Sequence, residues 1–242
     1  MLLYKNKQMT TIIKHDDFKI TQDERNPYIF NIDFSPYTNS QALIQSITKT
    51  NILKGTTMTT IKNTNNTLQF KATKVITFTQ YKEEDQLKKR NYQSLLLFVH
   101  QLVTQLEYLI KHTKHTFIGY NPRNIIVIDD NKFIYLSNEH LLPIDNTNNT
   151  ISITCPFSHK DFFFSPELKQ IKEIPTKVNY KTSYYSLACL IMKLFQEEDQ
   201  QDQPDQQDQQ LLDSLPIKNT KLYWLLQRCL NEDPNKRSIL FI

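Results

Sequence analysis

Only two of the 242 residues are glycine, Gly55 and Gly119. A backbone cradle for phosphate uses several, because close approach to an oxyanion and positive φ both favour a residue without Cβ. A glycine-rich nucleotide loop is therefore excluded. The length suits one large domain or two small lobes sharing a cleft. Hydrophobic residues make up 39% and aromatic residues 11% of the chain. Phe and Tyr are thus expected to do much of the packing, and the chain reads as globular rather than disordered.

The three cysteines, Cys155, Cys189 and Cys229, are far apart and odd in number. They match neither a disulfide framework nor a zinc pattern, and buried or half-buried thiols are expected. The opening MLLYKNK is too short an apolar run for a signal peptide, and no stretch approaches the ~18 apolar residues of a membrane helix. A cytosolic or nuclear setting is expected, and the sequons at Asn65 and Asn148 then carry no weight. The net charge of +4 hides a split, because the tract 196–210, QEEDQQDQPDQQDQQ, holds six acidic and no basic residues and leaves +10 over the remainder. Such a body could hold an acidic partner or nucleic acid. Its lysines are scattered rather than gathered on one helix face, so a solvated surface is the simpler reading.

Residues 1–80 are rich in β-branched and aromatic residues. TTIIKHDDFKIT, YIFNIDF, TMTTIKN and TLQFKATKVITF read as strands, and SPYTNSQALIQSITKTNIL between the second and third reads as one helix. From Tyr92 the period changes. Leu95, Leu96, Val99, Leu102, Val103, Leu106 and Leu109 recur at three- and four-residue intervals and predict an amphipathic helix. Two short strands, NIIVID and KFIYLS, follow around the turn Asp129–Asp130–Asn131. An irregular stretch leads to apolar helices at SYYSLACLIMKLF and TKLYWLLQRCL, with the Gln/Asp tract as a solvated loop between them. A β-rich lobe followed by a helical lobe is an α+β arrangement.

The order of these motifs resembles the eukaryotic protein-kinase family over most of residues 92–237. LVTQLEYLIKH looks like the helix before the catalytic loop, and NPRNIIVI is similar to that loop's Lys-Pro-x-Asn and the following strand. FFFSPEL at 162–168 resembles the Ala-Pro-Glu motif, SYYSLACLIMKLF the central helix of the large lobe, and LLQRCLNEDPNKR the closing helix with its Asp-Pro-x-x-Arg. The resemblance implies a single bilobal domain over 1–242, with a β-rich small lobe at 1–80 and a mainly helical large lobe at 81–242.

Family members work by positioning and charge neutralisation, with a loop Asp as base, Asp and Asn on magnesium, and a Lys braced by Glu on the phosphates. By position, the His-Arg-Asp of the loop falls on Phe117, Ile118 and Gly119, or one residue later. No Asp or Glu occurs from 108 to 128, so either placement lacks the base. Asn124 matches the metal-binding Asn. Asp-Phe-Gly maps onto Ser137, Asn138 and Glu139, and a neutral Ser is a poor magnesium ligand. Asn31 stands where the Lys belongs, with Lys62 as a substitute only if the strands are misplaced. No Glu lies between Arg25 and Lys82 to brace it. Ser183 replaces the Asp that tethers the loop.

What survives is structural by the same resemblance. Glu167 and Arg237 match the ion pair that pins the activation segment, and Pro122, Pro166 and Trp224 match architectural positions. The implied function is that of a pseudokinase, a catalytically inactive scaffold or allosteric binding module with protein partners. No cofactor is expected beyond weak ATP, and no metal and no membrane. The alternative is a divergent ATP-dependent serine/threonine kinase with relocated acids drawn from Glu139, His140, Asp129 and Asp130. Against it, the hairpin acids read as turn formers, His140 as an ordinary histidine and Asn124 as a loop-shaping residue. A nucleic-acid-contacting subunit is the third possibility, and no interleaving of aromatic and basic residues favours it.

Overall fold

The computed structural model describes residues 9–35, 40–53, 62–63, 66–84, 92–157, 162–195 and 208–240. In chain order these form β1 (Met9–Lys14), β2 (Phe18–Asp23), β3 (Ile29–Phe34), α1 (Ser40–Lys49), β4 (Lys62–Asn63), β5 (Thr67–Lys71), β6 (Val75–Thr77), α2 (Phe78–Glu83) and α3 (Tyr92–Tyr108). There follow β7 (His115–Phe117), β8 (Ile125–Ile128), β9 (Lys132–Tyr135), β10 (Leu141–Pro143), β11 (Thr150–Ile153), α4 (Pro166–Lys169), β12 (Thr176–Asn179), α5 (Thr182–Lys193), α6 (Asp208–Ser214) and α7 (Lys221–Cys229). The class is mixed α+β. The chain divides into two compact units, Met1–Leu109 with Arg123–Glu139, and Ile110–Pro122 with His140–Ile242. No helix among the described residues is long and apolar enough to cross a membrane.

The first unit carries an antiparallel sheet in the order β1-β2-β3-β5-β4. Alternation along β3 buries Phe30, Ile32 and Phe34, and register pairs Phe30 with Phe70, whose rings stack at 5.9 Å. The opposite face of that ladder is polar, with Gln69 donating to Asn31 at 2.8 Å. TTIIKHDDFKIT is two strands rather than one, because His15–Asp17 turn the chain and His15 N donates to the Phe18 carbonyl. TLQFKATKVITF likewise splits, β5 into the first sheet and β6 into a second sheet ordered β6-β8-β9. Its last residue opens α2, which the strand pattern concealed. Thr77 accepts from Gln80 N while the Gln80 side chain accepts from Thr77 N, a capping box. Of TMTTIKN, only Lys62 and Asn63 fall among the described residues.

Helix α3 buries Val99, Leu102, Val103 and Leu106, and continues into a π-helical turn at Leu109–Thr113. Two glutamines on it are buried as well. Gln101 accepts from Phe133 N and donates to the Asn131 carbonyl. Gln105 accepts from Tyr135 N at 3.0 Å and donates to the Tyr135 carbonyl at 2.9 Å. Four helical residues rise about 6 Å and two strand residues about 6.7 Å, so the two amides meet alternate peptides of β9. They satisfy the edge of the sheet as a further strand would.

The scarcity of glycine shows in the turns. Among the described residues, six non-glycine residues have positive φ, and five are Asn or Asp: Asn51, Asp129, Asp130, Asn149 and Asn219, with Lys114 the sixth. Short polar side chains tolerate that region best after glycine.

In the second unit, β7 pairs with β10 and β11 with β12. Ile118, Ile144, Ile151, Ile153, Phe164 and Leu168 form its core cluster. Helix α5 is buried on nearly every face. The Gln/Asp tract falls mostly outside the described residues, at 196–207. Its last three residues are not loop, as Asp208–Gln210 open α6, which buries Leu212. Cys189 and Cys229 are buried but Cys155 is exposed. Burial pushes the Cys229 thiol up to about 12.

Gln105→Leu should strand the Tyr135 N–H and carbonyl, at about 1–3 kcal/mol for each group left unpaired. A urea melt should register that loss, and exposed Ser94→Ala on the same helix should leave the midpoint unchanged.

Candidate functional site

Gly119 follows β7 in the second unit, and its need for glycine is one of space. An added Cβ would lie 2.6 Å from Phe164 Cδ1, closer still to Cε1, and 3.0 Å from the Phe163 carbonyl oxygen. The Phe164 ring is 1% exposed and packs in the core cluster. It cannot swing away without leaving a hole there. The next residue is zipped to the same segment, since Tyr120 and Phe163 form an antiparallel bridge with Phe163 N donating to the Tyr120 carbonyl at 2.8 Å. The loop on which the kinase resemblance seats its base is thus filled by an aromatic ring and closed by backbone hydrogen bonds.

Pro166 opens α4 after Ser165, as a residue lacking an N–H donor suits a first helical position. Glu167 in its first turn meets Arg237 in a fork, with Nη2 donating to Oε2 at 3.0 Å and Nη1 to Oε1. Arg237 is fully buried. Its Nε donates to the Asn231 carbonyl at 2.7 Å, and its guanidinium lies 4.9 Å from the Tyr185 ring centroid. Tyr185 donates in turn to Asp208. Burial, followed by that hydrogen bond, holds its phenol well above the ordinary tyrosine range. Ser183 donates to the Tyr180 carbonyl at 3.0 Å, three residues back in the chain. His140 is 8% exposed with its ring 4.4 Å from that of Phe162. Trp224, expected to be architectural, is instead 46% exposed on α7. Position 224 falls between the buried pairs Leu222–Tyr223 and Leu225–Leu226, on the helix's outer face.

In the first unit, Ser137 and Asn124 lie on neighbouring backbone, with Leu136 N donating to the Asn124 carbonyl at 2.8 Å. Both side chains are buried, and among the described residues Asn124 Oδ1 has no hydrogen-bond partner. Ser137 Oγ donates to Asp17 Oδ2 at 3.2 Å. Asp17 stands in the β1–β2 turn and is 9% exposed. A carboxylate oxygen of Glu139 comes within 4.8 Å of one on Asp17. The positions assigned to magnesium thus offer an amide and a hydroxyl without a carboxylate, a poor fit to that ion. The acid that meets Ser137 comes from a turn that no local sequence pattern singles out.

The hairpin acids are engaged elsewhere. Asp129 Oδ1 accepts from Thr73 N at 2.7 Å, Thr73 Oγ1 at 2.6 Å and Lys74 N at 3.1 Å. Asp130 lies 3.1 Å from the Lys74 ammonium. Lys132 is buried 3.9 Å from Asp129, and desolvation lowers its ammonium below the ordinary lysine range. Asn31, at the brace position, is the polar rung beside Gln69.

A scan against protein-family models finds no matching family, and a search of curated proteins finds no match. The resemblance rests on the quoted residues alone.

Gly119→Ala should destabilise the protein by about 1–3 kcal/mol through overpacking. Phe164→Leu, itself destabilising, should remove most of that added penalty. Additive losses in a urea-melt double-mutant cycle would show that the ring does not set the glycine.

Arg237→Ala should cost about 3–5 kcal/mol, since it strands the Glu167 carboxylate and several carbonyls. Asn124→Ala, which removes an oxygen that already lacks a partner, should cost far less in the same melts.

Proposed function

We propose that this chain is a pseudokinase: a bilobal protein kinase-like domain that binds protein partners inside the cell and transfers no phosphate. The observation that carries the reading is the Phe164 ring standing where a Cβ at position 119 would be. Under the kinase resemblance that position holds the general base, whose loss typically costs ~10²–10⁴ in rate. Here the base is missing and the space for it is taken. Three further features point the same way. The β1–β2 turn carries carboxylates in place of glycines, and the nearby Asp17–Glu139 pair would repel nucleotide phosphates. Ser137 replaces the metal carboxylate and donates to Asp17. Asn31 replaces the phosphate-holding lysine. The Glu167–Arg237 fork, which the resemblance assigns to scaffold and not chemistry, is intact.

The second reading is a divergent serine/threonine kinase with relocated acids. It draws on the closeness of Asp17 and Glu139 and on the unsatisfied Asn124 oxygen in the same unit. Asp129, Asp130 and His140 are less suited to that role, as each is engaged in the turn contacts, ion pair or ring packing described above.

Nucleotide separates the two. Without a glycine loop, a braced lysine or a metal carboxylate, ATP with magnesium should bind no tighter than about millimolar. Ligand near its dissociation constant stabilises by only RT ln 2, ~0.4 kcal/mol, or about 1 °C in midpoint for a chain of this size. Millimolar ATP–Mg²⁺ should therefore give a thermal shift near the noise, and no labelled phosphate should reach a generic substrate or the chain itself. Transfer that disappears on Asp17→Asn or Glu139→Gln would replace the pseudokinase reading with the enzyme reading.

A further inference from the structure

Helix α7 has two faces. Leu222, Tyr223, Leu225, Leu226 and Cys229 are buried, and the outer arc carries Lys221, Trp224, Gln227 and Arg228. At three- and four-residue spacing, Lys221, Trp224 and Arg228 form one stripe. The Trp224 indole is 46% exposed, and among the described residues its ring neighbour is Tyr223, edge-on at 5.2 Å. The stripe continues onto the C-terminal segment, where Arg228 Nη2 donates to the carbonyl of Leu240, itself 55% exposed. Among the described residues neither Lys221 nor Arg228 is in an ion pair. Arg228 Nε is buried and meets no acceptor. Of the neighbouring acids, Asp213 accepts from Tyr223 Oη, Asp233 pairs with Lys236, and exposed Glu232, four residues after Arg228, forms no ion pair among the described residues.

A single exposed hydrophobe is ordinary on a protein surface. An exposed indole bracketed by two cations in no ion pair among the described residues, one of them tied to the backbone of a second exposed apolar residue, is a different surface. Trp and Arg are the side chains most enriched where binding energy concentrates, and charge complementarity sets which partner is admitted. We infer that the outer face of α7 is a docking site for an acidic protein segment. Such a segment lays an apolar side chain on Trp224 and Leu240 and sets carboxylates against Lys221 and Arg228. Single-stranded nucleic acid fits less well, because it needs successive aromatics for successive bases and this stripe offers one. The inference rests on the binding-module reading. Phosphate transfer would sink that reading, whereas the experiment below tests the docking face alone.

Trp224 is the chain's sole tryptophan, so its emission reports the face directly. The probe is a synthetic peptide with a central Phe–Leu pair flanked by glutamates, compared with the same peptide carrying glutamines and with oligo(dT). The glutamate peptide should shift the emission to the blue saturably. Lys221→Gln with Arg228→Gln should weaken it by about tenfold, since exposed ion pairs contribute modestly each. Trp224→Ala, read by anisotropy of a labelled peptide, should abolish binding with no change in thermal midpoint. No shift with the glutamate peptide, an equal shift with the glutamine peptide, or tighter binding of oligo(dT) would each overturn the proposal.

Discussion

A guanidinium sealed from water must be neutralised and hydrogen-bonded where it lies, and Arg237 is the largest fully buried side chain among the described residues. Its partners come from separate pieces of the second unit. Glu167 belongs to α4, the Asn231 and Glu232 carbonyls to the turn after α7, and the Tyr185 ring to α5. Tyr185 extends the chain of contacts to Asp208 at the start of α6. Four helices are therefore indexed to one positive charge. A buried pair of this kind adds little net stability over an apolar substitute. It does penalise every arrangement that leaves the charge unanswered, so one packing of the helices is selected among several that would bury similar area.

The first unit solves a related problem with neutral groups. Apolar contact lets α3 slide or rotate on the β8–β9 hairpin, and Gln101 and Gln105 remove that freedom by matching the peptide spacing of β9. Asp129 fixes the other end of the hairpin, accepting three hydrogen bonds from Thr73 and Lys74. With modest hydrophobic content and two glycines in the chain, buried polar groups and Asn/Asp turns set positions that apolar packing and backbone freedom leave open.

The sequence disclosed what repeats and hid what pairs at a distance. The three- and four-residue spacing from Leu95 to Leu109 marked α3, and the apolar runs at 183–195 and 220–230 marked α5 and α7. Gln101 and Gln105 lie on the same helix but read as ordinary polar residues, because their acceptors and donors are about thirty residues away. The double role of 67–78 was masked by an unbroken β-like composition, although Thr77 and Gln80 at capping-box spacing were a visible helix start. At the candidate site, the lack of any acid from 108 to 128, on which the kinase resemblance turns, was legible in the sequence. The Phe164 ring that explains the glycine lies forty-five positions on in the sequence, and no local pattern points to it. Asp17 was equally silent, since an acid in a turn is what turn chemistry predicts. Trp224 misled because its place in a family-like helix suggested packing, whereas only the flanking residues turn inward.

The filling of position 119 bears on how deeply inactivity would be built into a protein of the proposed kind. A catalytic acid lost by substitution into open space can be restored by one reverse change. Here an acid at 119 would force its Cβ against Phe164 and the Phe163 carbonyl, and Phe164 is held in a core shared with Leu168 of α4. Removing the ring would loosen the support of the helix that carries Glu167, and so the fork to Arg237. Under the kinase resemblance, an acid at position 119 and the anchoring of the helices would be opposed through one side chain. The packing around Phe164 that contributes to the core of the second unit is the same one that leaves no room for a side chain at position 119.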